Sequence, residues 1–199
     1  YLYLEILNRL NRFSISNTLK YALDRYIKNT FDKHVSNDDF VSDIYIGKSN
    51  TSFLNILKTK DISRPFILER GSTHYTHQME NLYKNNFHNN NLISVESWKS
   101  ELAEYSFADY ISVPSTFSAK TFIKNGISKK KILINPYGVD LDLFTPKLSV
   151  NNQSASAKEN TKMRIIYVGA GTYRKGYDRL CIISNIIKDF ATIIHVGSI

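Results

Sequence analysis

The chain has 199 residues, a hydrophobic content of 42 % and four prolines, which indicates a globular protein rather than a disordered one. Its single cysteine, Cys181, excludes an internal disulfide and a cysteine-based metal cluster, and its apolar helical surroundings predict a core position. The formal net charge of +8 favours anionic partners. The lysines do not alternate with aromatic residues as in nucleic-acid-binding segments, so we expect no nucleic-acid partner.

Charge and hydropathy also bound the expected location. No apolar run approaches the roughly 20 residues of a membrane-spanning helix. The positive charge suits attraction to anionic lipid headgroups. We therefore expect a cytoplasmic protein, with at most peripheral contact at the cytoplasmic face of an anionic membrane.

The apolar pattern predicts helices alternating with strands. In chain order we predict one or two amphipathic helices within residues 2–27, a strand over 40–47, a helix over 52–57, a strand over 65–69, helices over 76–85 and 96–107, a strand over 110–113, a helix from Ser115 or Thr116 to Lys124, a strand over 131–134, a buried strand over 164–168, a helix over 177–190 and a strand over 191–196. In the helix over 96–107, Trp98, Leu102 and Tyr105 share one side.

This alternation predicts an α/β protein with parallel sheets. A polar, patternless stretch over residues 147–162 predicts a linker between two domains. We therefore assign residues 1–146 to a first domain and residues 163–199 to the start of a second.

A polar cluster, Glu69-Arg70-Gly71-Ser72-Thr73-His74, follows the strand over 65–69. In open parallel sheets, ligands bind outside the carboxyl ends of the strands. A histidine at that place can donate to or accept from a sugar hydroxyl. The alternative is structural: Arg70 pairs with Glu69, and His74 caps the next helix.

A second polar segment, residues 108–146, holds a strand, a capped helix and the turn Pro136-Tyr137-Gly138. Its structural interpretation is a scaffold in which Ser115 caps the helix and Asp140 fixes a turn.

The segment over residues 163–180 combines a strand, a turn with Gly169 and Gly171, the basic pair Arg174-Lys175 and a helix. Backbone N–H groups, a helix N-terminus and two cations near one point suit a phosphate or diphosphate. The alternative is a simple connection with two solvated cations. No Walker sequence, HExxH or nucleophile elbow occurs in the chain.

The three segments, in this order, resemble the family four group of retaining glycosyltransferases, GT-B enzymes that use nucleotide-activated sugars. The matching pieces are Glu69–His74, Ala108–Ser115 (Ala-Asp-x-Ile-x-Val-Pro-Ser), Pro136–Pro146 (Pro-Tyr-Gly-Val-Asp-x-x-x-Phe-x-Pro) and Val168–Asp178 (Val-Gly, then Arg-Lys-Gly and an aspartate). The resemblance runs from about residue 43 to the end of the chain.

The resemblance implies two Rossmann-like domains facing each other across a cleft, both incomplete in this chain. It implies that Arg174, Lys175 and Gly171 bind the donor diphosphate and that His74 is catalytic, close to the reacting carbon of the donor sugar. The residues expected to line the cleft are Glu69, Arg70, Ser72, Ser115, Tyr137 and Asp140. The nucleotide-sugar is a substrate, and neither a cofactor nor a metal is indicated.

The implied function is a hexosyltransferase-type reaction with retention of configuration, in polysaccharide or glycan biosynthesis. The sugar would pass from a nucleoside-diphosphate-sugar to a saccharide or lipid-linked acceptor. Two alternatives stay open: a non-catalytic nucleotide- or sugar-binding module on the same fold, and a basic interaction domain for nucleic acid or anionic membrane.

Two departures from the family pattern bear on this interpretation. Ala170 stands where many members have an arginine, and the family's downstream Glu-x7-Glu carboxylate pair does not follow the Arg-Lys-Gly segment before Ile199. The chain begins inside a helical pattern and ends after a strand, so we expect a fragment that is inactive by itself.

Overall fold

The computed structural model describes residues 17–38, 41–84, 95–145 and 162–198. These residues form an α/β structure with parallel sheets, which confirms the predicted fold class at that level. The chain divides into two compact units, Tyr1–Gly138 and Val139–Ile199. The predicted linker lies outside the described residues except for Lys162, and the predicted domain limits stay predictions.

The first unit carries a four-stranded parallel sheet in the order β1-β2-β3-β4. Its elements are α1 (Asn17–Ser36), β1 (Tyr45–Lys48), α2 (Phe53–Asp61), β2 (Phe66–Glu69), α3 (Tyr75–Lys84), α4 (Val95–Phe107), β3 (Tyr110–Val113), α5 (Thr116–Lys124), a 3-10 turn (Lys129–Lys131) and β4 (Ile132–Ile134). Consecutive strands pair side by side, so the polar segments that follow them all lie along one edge of this sheet.

The core of the first unit lies where the central strands meet the helices. Leu68 of β2 and Ile111 of β3 are fully buried, as are Ile56 of α2 and Phe122 of α5. Burying one such side chain stabilises the fold by about 1.5–3 kcal/mol. This packing fixes the strand ends that carry the polar segments.

Most predicted elements of the first unit are confirmed. The strand predicted over 40–47 is found only as Tyr45–Lys48, so the described residues before Tyr45 are not strand as predicted. The strand over 110–113 and the helix ending at Lys124 are found as predicted, and Ser115 is the helix cap. The first described helix continues to Ser36, beyond the predicted end at 27. Residues 2–16 of the predicted N-terminal helices and the predicted loop over 88–91 lie outside the described residues.

The interior face of α4 carries acids as well as an aromatic side chain. Tyr105 and the carboxylates Glu101 and Glu104 are buried, whereas Trp98 is 38 % exposed. These two acids can occupy the interior because Arg70 and backbone N–H groups satisfy them.

The second unit contains a parallel pair of strands and one helix. Its elements are β5 (Met163–Val168), a 3-10 turn (Tyr173–Lys175), α6 (Tyr177–Ile187) and β6 (Ala191–Val196). β5 and β6 pair in register over six residues, from Met163 opposite Ala191 to Val168 opposite Val196.

Two burial predictions for the second unit are wrong. β5 is predicted to be buried, but Ile166 is 64 % exposed and Val168 75 % exposed. Cys181, predicted to lie in the core, is also exposed. Two strands and one helix can cover only part of their apolar surface, and Ala191 is the one buried residue in the described part of this unit.

No helix in the described ranges has both the length and the apolar character needed to cross a bilayer.

Candidate functional site

The loops at the carboxyl edge of the first sheet are tied to one another by backbone hydrogen bonds. Ser49 N donates to Glu69 O at 2.9 Å, Arg70 N to Ser112 O at 2.8 Å, and Asn135 N to Val113 O at 2.8 Å. Each strand pairing therefore continues one residue past the strand, and the loops leave the sheet from fixed positions.

Arg70 is the centre of a buried polar network at this edge. Its Nη1 lies 2.9 Å from Glu101 Oε1 in α4, and its Nε donates to Thr73 O at 3.3 Å. Glu101 Oε1 also accepts from the Tyr105 hydroxyl and from Ser49 Oγ. The ion-pair partner is thus Glu101, not the neighbouring Glu69 of the alternative interpretation. We call Ser49, Arg70, Glu101 and Tyr105 the carboxyl-edge network.

Glu104 fixes the loop after β1 from the same helix. Its two carboxyl oxygens accept from Asn50 N at 2.6 Å and Ser52 N at 2.9 Å. The pKa of Glu104 is raised to about 7, chiefly by burial. The two hydrogen bonds act against this rise, and the negative charges of Glu101 and Asp32 contribute to it. This carboxyl group therefore changes charge close to neutral pH.

His74 is buried and neutral. Its ring packs against Tyr105 and Phe122 with centroid separations of 5.1 and 5.0 Å, and its side chain accepts at Nδ1 from Thr76 N at 3.2 Å. The pKa of His74 is lowered to about 4, chiefly by burial and also by the positive charge of Arg70. Since Nδ1 is an acceptor, the ring proton lies on Nε2, which has no acceptor among the described residues.

This geometry decides what His74 can do chemically. A neutral imidazole with its proton on Nε2 can donate a hydrogen bond, but Nδ1 is occupied and cannot act as a base. The predicted helix-capping contact is present as well, because Nδ1 accepts from the first turn of α3.

Gly71 and Tyr137 form a second contact at the carboxyl edge. The Tyr137 hydroxyl donates to Gly71 O at 2.8 Å, and a Cβ on Gly71 would lie 2.5 Å from that hydroxyl oxygen. Glycine is therefore required at position 71 while Tyr137 keeps this position.

The other predicted cleft residues lie in three places. Ser115 caps α5, accepting from Ser118 N at 3.1 Å, while Glu69 ends β2 with an exposed side chain and Ser72 is half-buried in the following loop. Asp140 belongs to the second unit, where its Oδ1 accepts from Asp142 N and Leu143 N at 3.0 and 3.1 Å. Its contacts within that unit are those of a turn-forming aspartate.

The glycine loop of the second unit uses much of its backbone internally. Gly169 N donates to Val196 O at 2.9 Å and Gly171 N to Ser198 O at 2.7 Å. The N–H groups of Ala170, Tyr173 and Arg174 have no acceptor among the described residues. The free donors of the loop therefore lie next to Gly171 as well as beside the exposed basic pair.

Gly176 allows the chain to pass from this turn into α6. It has φ +75° and ψ +24°, a left-handed conformation that favours glycine. Arg174 and Lys175 are exposed just before it, and Asp178 lies in the first turn of the helix. Two positive charges outnumber the one negative charge of Asp178, so the turn keeps a net positive charge next to a helix N-terminus.

His195 is a residue of the second unit that the sequence analysis missed. Its Nε2 lies 2.7 Å from Gly169 O, so Nε2 carries a proton and donates. The ring packs with Tyr167 and Tyr177 at centroid separations of 5.4 and 5.0 Å. This packing, together with the hydrogen bond to Gly169 O, holds the start of the glycine loop against β6 and α6.

Sequence signals for the missed residues were weak. Glu101 and Glu104 sit in an amphipathic pattern that is equally typical of a solvated helix face, and His195 occurs within an apolar strand. The one sequence signal for burial of Glu101 is that it lies one helical turn before Tyr105, on the same side of the helix. In the described ranges no three acidic, histidine or cysteine side chains are grouped as a metal site would require.

Comparison of the sequence with protein-family models and with curated proteins finds no match. The function is therefore inferred from the sequence motifs and from the geometry of each unit.

Proposed function

We propose that the chain belongs to a retaining glycosyltransferase of the GT-B type, with two Rossmann-like domains. It would transfer a hexose from a nucleoside-diphosphate-sugar to a saccharide or lipid-linked acceptor, in the cytoplasm. The observation that carries the proposal is the position of its two main motifs. The loop of Arg70 and His74 follows β2, and the loop of Gly169 to Lys175 follows β5, each at the carboxyl end of a parallel strand.

In this proposal the second unit binds the donor diphosphate. Negative charge grows on the leaving diphosphate as the bond to the sugar breaks, so fixed cations stabilise the transition state more than the ground state. Lys175 and Arg174 are exposed beside free backbone donors, as this role requires. Gly171 contributes because it has no side chain, so the backbone of the loop can come close to the phosphate.

The first unit contributes His74. A neutral histidine with its proton on Nε2 can donate to an oxygen of the donor sugar without adding a charge near the reacting carbon. Arg70 and the carboxyl-edge network hold the loop that carries it. The ring is 4 % exposed, so donation to the sugar requires His74 to become accessible when the donor binds. Front-face attack, with the leaving phosphate accepting the acceptor's proton, accounts for retention of configuration.

The test is donor binding by a polypeptide that contains this chain together with the downstream carboxylate pair, and by its Lys175→Ala variant. Calorimetric titration with UDP-, GDP-, dTDP- and ADP-hexoses first identifies the donor. A hydrogen bond to a charged group contributes about 1.5–3 kcal/mol, so the variant should bind that donor about tenfold more weakly or worse. Lys188→Ala is the matched control, since Lys188 lies at the other end of α6.

Three outcomes separate the interpretations. Equal donor affinity of that polypeptide and its Lys175→Ala variant means that the assigned diphosphate role is wrong. Binding of none of the nucleotide-sugars by that polypeptide contradicts the proposed function. Binding that never leads to sugar transfer or donor cleavage, in a polypeptide that includes the downstream carboxylate pair, favours the non-catalytic module.

A further inference from the structure

A basic pocket lies at the opposite, amino edge of the first sheet. Its cavity measures about 700 Å³. Pro65 and Asp109, which directly precede β2 and β3, line it together with Lys131, which directly precedes β4. We call this cavity the amino-edge pocket. None of the residues that line it has a role in the proposed binding of the donor sugar or in catalysis.

Ion pairs neutralise only half of the cations of the amino-edge pocket. Lys60 pairs with Asp109, and Arg64 pairs with Asp43 at 3.1 Å. Lys131 Nζ donates to two carbonyl oxygens at the end of α4, at 2.9 and 2.7 Å, and has no carboxylate partner among the described residues. The fourth cation is Lys130.

Lys130 is the cation that remains available. It is exposed, lines the pocket and has no partner among the described residues. Four cations and two carboxylates leave an excess of two positive charges around one cavity. The hydroxyl groups of Ser63, Tyr110 and Ser128 add neutral hydrogen-bond donors to its wall.

The cations also repel one another. Burial lowers the pKa of Lys131, and the positive charge of Lys60 lowers it further, against the attraction of Asp109. An anion in the cavity would relieve this repulsion. It would also meet donors that are already held in place, which reduces the entropy lost on binding.

We propose that the amino-edge pocket binds a phosphate group. A phosphate dianion matches the excess of two positive charges, and its oxygens can accept simultaneously from lysine ammonium and hydroxyl donors. The cavity is within the range of about 300–1,000 Å³ that small-molecule sites occupy, so it has room for more than the phosphate itself. The phosphate could belong to a free phosphorylated molecule or to the headgroup of a lipid.

The experiment compares Lys130→Glu with Lys129→Glu. Both lysines are exposed and belong to the same 3-10 turn, and the charge change is identical, but only Lys130 lines the cavity. All proteins carry Lys175→Ala, so that the loop proposed to bind the donor diphosphate does not take up the probe. Inorganic phosphate is titrated into this chain and into both variants at constant ionic strength, followed by calorimetry. In a second arm, the same proteins are floated with vesicles of phosphatidylcholine alone or mixed with phosphatidic acid, whose headgroup is a phosphate monoester.

The expected result is phosphate binding that Lys130→Glu weakens by about tenfold or more and Lys129→Glu by less than about twofold. Phosphate binding without flotation indicates a free phosphorylated ligand. Flotation with phosphatidic acid that only Lys130→Glu abolishes and that inorganic phosphate competes away indicates a lipid headgroup. The proposal is overturned if neither probe binds, or if both variants lose binding equally, because that is the behaviour of a diffuse basic surface. Neither arm contains a nucleotide-sugar, so the result is independent of the proposed transferase function.

Discussion

At the scale of single residues, the informative contact is the ion pair between Arg70 and Glu101. Glu101 is 2 % exposed, and its carboxylate serves three donors from three segments of the chain. The pair holds the loop that carries His74 in place against α4. A surface ion pair adds little to stability, whereas removing one partner of a buried pair leaves an uncompensated charge.

We therefore expect Glu101→Gln to lower the free energy of unfolding by about 3 kcal/mol. Asp24→Asn, which removes the exposed pair of Asp24 with Lys28 at 2.6 Å in α1, should cost less than about 1 kcal/mol. Urea unfolding followed by the fluorescence of the single tryptophan, Trp98 in α4, measures both. Equal and small losses in the two variants would mean that solvent already screens Arg70.

The sequence predicted the loop of Arg70 and His74 but not the network beneath it. Position after a strand was enough to find the loop, because parallel strands send their carboxyl ends to one edge. The partner Glu101 could not be assigned, since it is distant in sequence and its helix also fits a solvated face. Long-range pairing of this kind is set by packing rather than by local pattern.

At the scale of elements, local signals predicted well where they were strong. α5 is bounded by Ser115, whose hydroxyl accepts from Ser118 N, and by Gly126, which has φ +88° beyond its C-terminus. For β5 the apolar run predicted the strand correctly and its burial wrongly. Periodicity identifies an element, but which neighbours cover it is not encoded in its own residues.

Removing the cap of α5 gives a test at this scale. We expect Ser115→Ala to destabilise the first unit by about 1 kcal/mol, because Ser118 N loses its acceptor. Thr116→Ala should cause no loss, because the Thr116 side chain is exposed and alanine favours helix. Thermal unfolding followed by circular dichroism compares the two variants. A larger loss for Thr116→Ala would contradict Ser115 as the cap.

At the scale of the whole molecule, two buried groups of the first unit link stability to pH in opposite directions. The pKa of Glu104 is raised from 4.5 to about 7, so the folded chain holds this proton more tightly and loses stability as the pH rises through that interval. The pKa of His74 is lowered from 6.5 to about 4, so the folded chain loses stability as the pH falls through that interval.

These opposite dependences overlap and should largely cancel in the parent chain between about pH 4.5 and 6.5. Glu104→Gln removes one of them, so its free energy of unfolding relative to the parent should rise with pH, by up to about 1.4 kcal/mol per unit. His74→Asn, which retains an acceptor for Thr76 N, should show the reverse slope. Urea unfolding followed by Trp98 at fixed ionic strength from pH 4.5 to 7 gives both difference curves. Glu80→Gln, at an exposed position of α3, should run parallel to the parent. A flat difference curve for Glu104→Gln would show that hydrogen bonds from Asn50 and Ser52 outweigh burial and keep this carboxyl group ionised throughout.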